Sequence, residues 1–312
     1  MTSDGTTDRQ KRHSMISLTQ LEIFAAVVEC GGFSGAAKRL YMSQPSVSSH
    51  IRALENSLGV QLVERTSRGA RATYAGEVVL QHAREVFAVL DSLDGQVAQL
   101  QGLKTGRLAV AGTTTLGTYL LPQLVAEFSA RIPGVECQIR VGNEDAVEAW
   151  LLQNEVALAL CAEEPQDERL VTTPMFEEQL LLIGPAWSPL AARVLTPGDI
   201  ADQRFMLREV GSATRRQQEA ALAAWGLPDV ERWEMWGHAT VKESVCAGLG
   251  LSIISEHAIA RERASGSLTV LDIDPAPQRR IISLVTRAGR ALTPPERAFV
   301  DLVGTLAQWP DT

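Results

Sequence analysis

Gln44, Ser46, Ser48, Ser49 and Arg52 fall on one side of a stretch with helical spacing, and Pro45 stands in its first turn. Short hydroxyls let a helix sit deep in the major groove of DNA, and a glutamine can bond an adenine edge. Further on, Arg65, Arg68 and Arg71 crowd the turn Thr66-Ser67-Arg68-Gly69. Guanidinium groups there could bond phosphates or enter a minor groove. Two more donor groups lie in the second half of the chain. Thr113-Thr114-Thr115 follows a short apolar run, and Arg208 precedes Gly211-Ser212-Ala213-Thr214-Arg215. Hydroxyls beside free helix-start amides make a natural site for an anion. Each group also has a plainer reading as surface residues of a capped helix, a solvated hairpin, or hydroxyls that only cap helices.

Nothing in the chain has the spacing of a catalytic or metal motif. There is no G-x-x-x-x-G-K-[ST], H-E-x-x-H, C-x-x-C or G-x-S-x-G, so phosphate-loop, zinc-protease and serine-hydrolase chemistry have no carrier. His13, His50, His82, His238 and His257 show no ligand spacing; no metal and no resident cofactor are expected. Cys30, Cys137, Cys161 and Cys246 have apolar or small neighbours and read as buried thiols.

The elements that must position these residues follow from periodicity. Leu18, Leu21, Phe24, Ala25 and Val28 mark a first helix, capped by Ser17 or Thr19 and stopped by Gly31-Gly32. Ser34 would cap a short second helix carrying Ala36, Ala37 and Leu40. A tight Tyr41-Met42 turn leads to a third, capped by Ser43, with Val47, Ile51, Leu54 and Leu58 inward and Gly59 at its end. Two strands around the arginine turn make a wing. From Thr73 to Leu103 one helical pattern runs unbroken. Val79, Ala83, Val86, Leu90, Leu93, Val97 and Leu100 alternate in steps of four and three, the seam of a coiled coil, with helix packing inside one chain as the alternative. Gly102 to Gly106 reads as a hinge. Beyond it, strands at 108–111, 135–141 and 156–161 alternate with helices, and strands at 180–183, 205–207, 252–254 and 281–285 continue towards a final helix over 296–306. That order predicts a parallel, doubly wound sheet and a second α/β lobe.

The run FSGAAKRLYMSQPSVSSHIRALENSLGVQLVERTSRGARATYAGE resembles the amino-terminal domain of the LysR-type transcriptional regulators. The resemblance implies an α/β protein built from an all-helical winged helix-turn-helix domain over 15–73, a linker and dimerisation helix over 74–103, and a two-lobed periplasmic-binding-protein-like α/β effector domain over 106–312. Residues 1–14 are polar and expected to be disordered, and Met15 is an alternative start. By resemblance, Gln44, Pro45, Ser46, Ser48 and Ser49 face base edges or adjacent backbone, and Arg65 and Arg68 serve phosphates or the minor groove. Many members carry Arg where Ser49 stands here. The segment from Phe205 to Arg215 resembles the L-R-E-x-G-S-x-T-R stretch of the subgroup containing regulators of carbon-dioxide fixation and sulfur assimilation. His238-Ala239-Thr240 stands where that subgroup often has Ser-Asn-Glu or Ser-Asn-Thr. The effector candidates are Thr113, Thr114, Thr115, Arg208, Ser212, Thr214 and Thr240, and their donors suit an anionic small-molecule co-inducer. The implied partners are double-stranded DNA bearing an inverted repeat, that effector, further copies of the chain as dimer or tetramer, and RNA polymerase.

Charge is consistent with this division. The whole chain carries −8, but residues 1–105 hold 11 Lys/Arg against 10 Asp/Glu and residues 106–312 hold 18 against 27. Between 31 and 75 six bases meet two acids. A solute-binding protein with an unrelated helical module fits the lobes but not the basic wing or the polar first fourteen residues. A metabolic enzyme needs a convergent acid/base pair that the sequence lacks. No apolar stretch is long enough to span a membrane, and a reducing cytoplasm is the simplest compartment.

Overall fold

The computed structural model describes residues 16–66, 69–100 and 105–309, in two compact units that divide between Asp91 and Ser92. The extension over 1–14, the wing-tip Arg68 and the hinge residues 102–104 lie outside the described residues.

In the first unit, helices α1 (Leu18–Glu29), α2 (Phe33–Arg39) and α3 (Gln44–Leu58) precede a hairpin of β1 (Val63–Thr66) and β2 (Gly69–Ala72), and α4 spans Tyr74–Leu100. Ser17 caps α1 in a capping box with Gln20. Ser43 caps α3, Pro45 sits in its first turn, and Gly59 ends it in the left-handed region. Ser34 does not cap α2. The N-cap is Gly32, and Ser34 lies within the helix with its hydroxyl donating to Gln44 Oε1 at 3.4 Å. Phe24, Ala36, Val47, Ile51, Leu54 and Leu62 form the core. Two contacts fix the wing to α3 and α1. Glu55 Oε1 accepts from the amides of Leu62 at 2.8 Å and Val63 at 3.2 Å. At the other end the Ala70 amide donates to Gly31 O at 2.8 Å. A Cβ on Gly69 would lie 2.1 Å from that same oxygen, so only glycine permits the approach.

The seam on α4 divides. Ala83 is buried and Val79 packs against the first unit's core, whereas Val86, Leu93 and Val97 are exposed.

The second unit has two lobes. In the first, the strands run β4 (Val135–Gly142), β3 (Gly106–Thr113), β5 (Leu158–Cys161), β12 (Arg280–Arg287), β6 (Leu170–Glu178) across the sheet. Helices α5 (Leu121–Arg131) and α6 (Glu144–Leu152) lie within this lobe's sequence, and α10 (Pro294–Val303) closes it. In the second, β10 (Ser252–Ser255), β7 (Leu180–Pro185) and β11 (Leu268–Leu271) form one sheet. The parallel pair β8 (Phe205–Arg208) and β9 (Arg232–Met235) lies beside it, with helices α7 (Ala213–Ala224), α8 (Gly237–Cys246) and α9 (Ala260–Ser265).

The parallel sheet expected from the βαβαβ order is present, and the strands that join it later run the other way. β3 is parallel to β4 and β5, but β12 is antiparallel to β5 and β6, and β7 is antiparallel to both its neighbours. The chain leaves the first lobe after β6 and returns through β12, so the returning strand enters the sheet in the opposite sense. At that crossing Arg280 Nε donates to Glu178 Oε2 at 2.5 Å, both side chains being buried. The last helix spans 294–303, not 296–306, because Thr293 and Glu296 form a capping box ahead of it.

Candidate functional site

The outward side of α3 carries no acidic residue among the positions singled out by sequence. Gln44, Pro45, Ser49 and Arg52 are exposed, and Ser46 and Ser48 are half-buried. The Ser43 hydroxyl accepts from the Ser46 amide at 3.3 Å, which sets the first turn. Between α3 and β1 lies a hollow of about 430 Å³, walled by Ser48, Arg52, Glu55, Gln61 and Arg65 among others. Arg65 is exposed, its guanidinium 5.5 Å from the centre of the Phe33 ring. The basic residues differ in availability. Arg39 pairs with Glu29 and Arg71 with Glu64, while neither Arg52 nor Arg65 forms an ion pair among the described residues. The arrangement offers uncompensated positive charge on the helix and on the wing, separated by a groove. Tyr41, 98% exposed with φ 53°, occupies the turn before α3. The sequence marks it only as a turn residue, and its phenol adds a hydroxyl donor beside α3.

In the second unit the donors predicted from sequence converge at the carboxyl ends of β3 and β8, where ligands of open α/β sheets bind. Thr113 closes β3, and the helical backbone begins at Thr114, passes through a π turn over Leu116–Leu120 and continues as α5. Thr113 and Thr115 are buried, and the Thr114 hydroxyl donates to Gly142 O at 3.3 Å. Arg208 ends β8 and is 1% exposed. Its Nε and Nη2 donate to the two carboxylate oxygens of Glu209 at 2.8 and 2.6 Å, a fork-to-fork pair. Burial opposes the charge on Glu209, but the bonds from Arg208 and the Gly237 amide hold its carboxyl down to about 2.

A buried amide fixes this strand end. Gln218 Oε1 on α7 accepts from the Arg208 amide at 2.9 Å, and its Nε2 donates to Ile253 O at 2.9 Å and to Ser252 Oγ at 3.2 Å. Strand β8, helix α7 and strand β10 are therefore tied at one point. Ser212 is the N-cap of α7 without a side-chain cap bond, and Thr214 follows in the first turn, both buried. Among the described residues the hydroxyls of Thr113, Ser212 and Thr214 make no hydrogen bond.

The two lobes touch at this place. His238, in the first turn of α8, has Nε2 2.8 Å from Thr115 Oγ1, and Arg208 Nη1 approaches the ring at 2.8 Å. Glu144, at the start of α6, accepts from the Ala213 amide at 2.9 Å across the lobes. Burial raises the Glu144 carboxyl above its ordinary value. His238, Glu209, Gln218 and Glu144 were not among the sequence candidates. The only signal was the departure at His238 from the Ser of relatives, and the Glu that follows Arg208. Thr240 stands apart from these buried donors. It is exposed, with the neighbouring turn of α8 presenting His238 to the other lobe instead. Cys30 is exposed too, against the expectation of a buried thiol, while Cys161 is buried. Among the described residues no group of His, Cys, Asp and Glu could hold a metal ion, and no helix is long and apolar enough to cross a membrane.

Family models match both units of this architecture. Residues 18–77 match the bacterial regulatory helix-turn-helix protein of the lysR family, and residues 101–308 match the LysR substrate binding domain. The chain belongs to the LysR family. This LysR-family protein is a DNA-binding transcriptional regulator with an effector-binding domain, not an enzyme. The HTH-type transcriptional regulator CbbR of Sinorhizobium medicae (strain WSM419) is 35% identical to it over 291 residues, 92% of each chain. The RuBisCO operon transcriptional regulator of Allochromatium vinosum is 32% identical over 289 residues, 92% of this chain and 95% of that one. The carbon-fixation subgroup indicated by residues 205–215 is thus the one to which such relatives belong. Among solved structures, the regulatory domain of CcmR from Synechocystis PCC6803 in complex with 2-PG is 30% identical, with a TM-score of 0.60. The match covers 64% of this chain and 96% of that one.

Proposed function

We propose that residues 15–73 of this regulator read an inverted-repeat operator. Gln44, Pro45, Ser46, Ser48 and Ser49 meet base edges or the neighbouring backbone, and Arg52, Arg65 and Arg68 meet phosphates or the minor groove. Residues 74–103 pair copies of the chain through the exposed part of the α4 seam, and pairs of dimers form a tetramer. An oxyanion binds between the lobes of residues 106–312, among Thr113, Thr115, Arg208, Ser212 and Thr214, with Thr114 and Thr240 at the margin. Its binding changes the angle between lobes and hence the spacing of the DNA-reading modules.

The observation that carries the effector reading is Arg208. Its guanidinium, 1% exposed at a strand's carboxyl end, gives Nε and Nη2 to Glu209 and turns Nη1 to a neutral imidazole, a donor that an oxygen acceptor can take over. The similar regulatory domain whose structure is in complex with 2-PG supports a small-molecule occupant. Mobility shift on promoter fragments of carbon-fixation genes, with and without 2-PG or inorganic phosphate, tests both halves together. Specific binding must fall steeply with salt, because phosphate contacts release counterions. Sequence-blind, salt-insensitive binding would overturn the reading.

A further inference from the structure

The imidazole of His238 stands where the two lobes meet. Its Nε2 lies 2.8 Å from Thr115 Oγ1, and Arg208 Nη1 lies 2.8 Å from each ring nitrogen. Arginine only donates, so the ring must accept from it. With Nε2–H donating to Thr115, Nδ1 is the ring atom left to accept from Arg208, whose Nη1, equidistant from the two nitrogens, lies against the ring. Most groups facing the ring are cationic. Arg208, Arg280 and Lys242 oppose a charge on it, Glu209 favours one, and the edge of the Tyr119 ring closes a further side at 6.0 Å. Arg280 is itself paired with Glu178, and Lys242 with Glu262. Burial and the neighbouring cations push His238 down to about 3, so the ring is neutral.

We propose that His238 is the specificity-determining residue of the cleft, a neutral acceptor for Arg208 as seen here and a cationic donor to an oxyanion that takes its place on the guanidinium. This deepens the reading that the effector binds between the lobes and rests on it. A carboxylate or phosphate oxygen meets the guanidinium with a full opposite charge, which neither a neutral ring nitrogen nor a neutral hydroxyl carries. A carboxylate or phosphate can therefore displace the ring, whereas a neutral alcohol or sugar cannot. The incoming negative charge then offsets the surrounding cations, and the ring beside it takes a proton from solvent and donates it to the ligand. Binding is accordingly coupled to uptake of one proton, and affinity rises as pH falls. Carboxylate and phosphate share this chemistry, and the experiment separates them.

The full-length protein is titrated by calorimetry with inorganic phosphate, citrate, 2-PG and glycerol, in two buffers of different ionisation enthalpy. We expect an oxyanion to bind with a buffer-dependent heat that reports proton uptake, at most one proton, and to tighten as pH falls from about pH 8 to about pH 6, by no more than tenfold per pH unit. Glycerol should not bind. Whichever of phosphate and citrate binds identifies the class of oxyanion. His238→Gln should abolish the proton uptake and flatten the pH profile, with His238→Asn as the second variant if that protein fails to fold. Arg208→Met should abolish oxyanion binding. Oxyanion binding that needs Arg208 but takes up no proton, or a slope retained in His238→Gln, overturns the role of His238 and leaves the cleft reading standing. Binding by none of the probes, or equal binding by Arg208→Met, overturns both.

Discussion

The hydrogen bond between His238 Nε2 and Thr115 Oγ1, 2.8 Å long, joins residues 123 positions apart and links the two lobes through buried side chains. Thr115→Val keeps the shape and removes the hydroxyl, leaving a buried imidazole nitrogen without its partner. Such orphaned groups cost about 1–3 kcal/mol. Urea unfolding of the variant should show a loss in that range, and an unchanged midpoint would show that the contact contributes nothing.

Acid should weaken the effector unit through Glu209. Its carboxyl is held at about 2 against an ordinary 4.5. A depressed carboxyl stabilises the fold above its unfolded value, and that contribution is lost as pH falls from about 4.5 towards about 2. Glu209→Gln should remove this part of the pH slope. Stability measured across that window should therefore be flatter in the variant than in the parent, and parallel curves would count against the assignment.

Local chemistry was legible wherever it is encoded within a few residues. Ser43, Pro45 and Gly59 frame α3 as the helix rules require, Thr113 and Arg208 do end strands, and Thr114 and Thr115 open the helical turn that follows. What the sequence withheld is long-range. The direction of β12 depends on a return from the other lobe, and its nearly continuous buried run reads like a strand of a parallel sheet. Glu55 reads as an ordinary helix-surface acid until the wing amides of Leu62 and Val63 are seen to converge on it. His238 reads as a departure from relatives, and only folding brings it to Thr115 and Arg208. Ser34 shows the opposite error, since a hydroxyl near a helix start is a good cap by type while Gly32 holds the position by backbone geometry.

The exposed part of the α4 seam should decide oligomeric state. Leu93 is 55% exposed and Val97 45% on a helix whose earlier seam residue Ala83 is buried. Leu93→Glu places a charge on the apolar stripe that a partner helix would cover, at little cost to the isolated chain because the position is already solvated. Sedimentation should show smaller assemblies for the variant with unchanged helicity. An unaltered mass would mean that copies associate through another surface.

Arg65 and Gln44 should fail in different ways. Arg65 is unpaired on the wing, so Arg65→Ala should weaken DNA binding about equally for matched and mismatched fragments, and lower the slope of log affinity against log salt by about 1. Gln44 opens α3 without an ion to neutralise, so Gln44→Ala should leave the salt slope unchanged. It should instead reduce discrimination at one base pair by about 1–3 kcal/mol, the value of a bidentate base contact. Competition titrations at several salt concentrations separate the two. If Gln44→Ala changed the slope while Arg65→Ala changed the preference, α3 and the wing would have exchanged the roles that their charge and exposure assign.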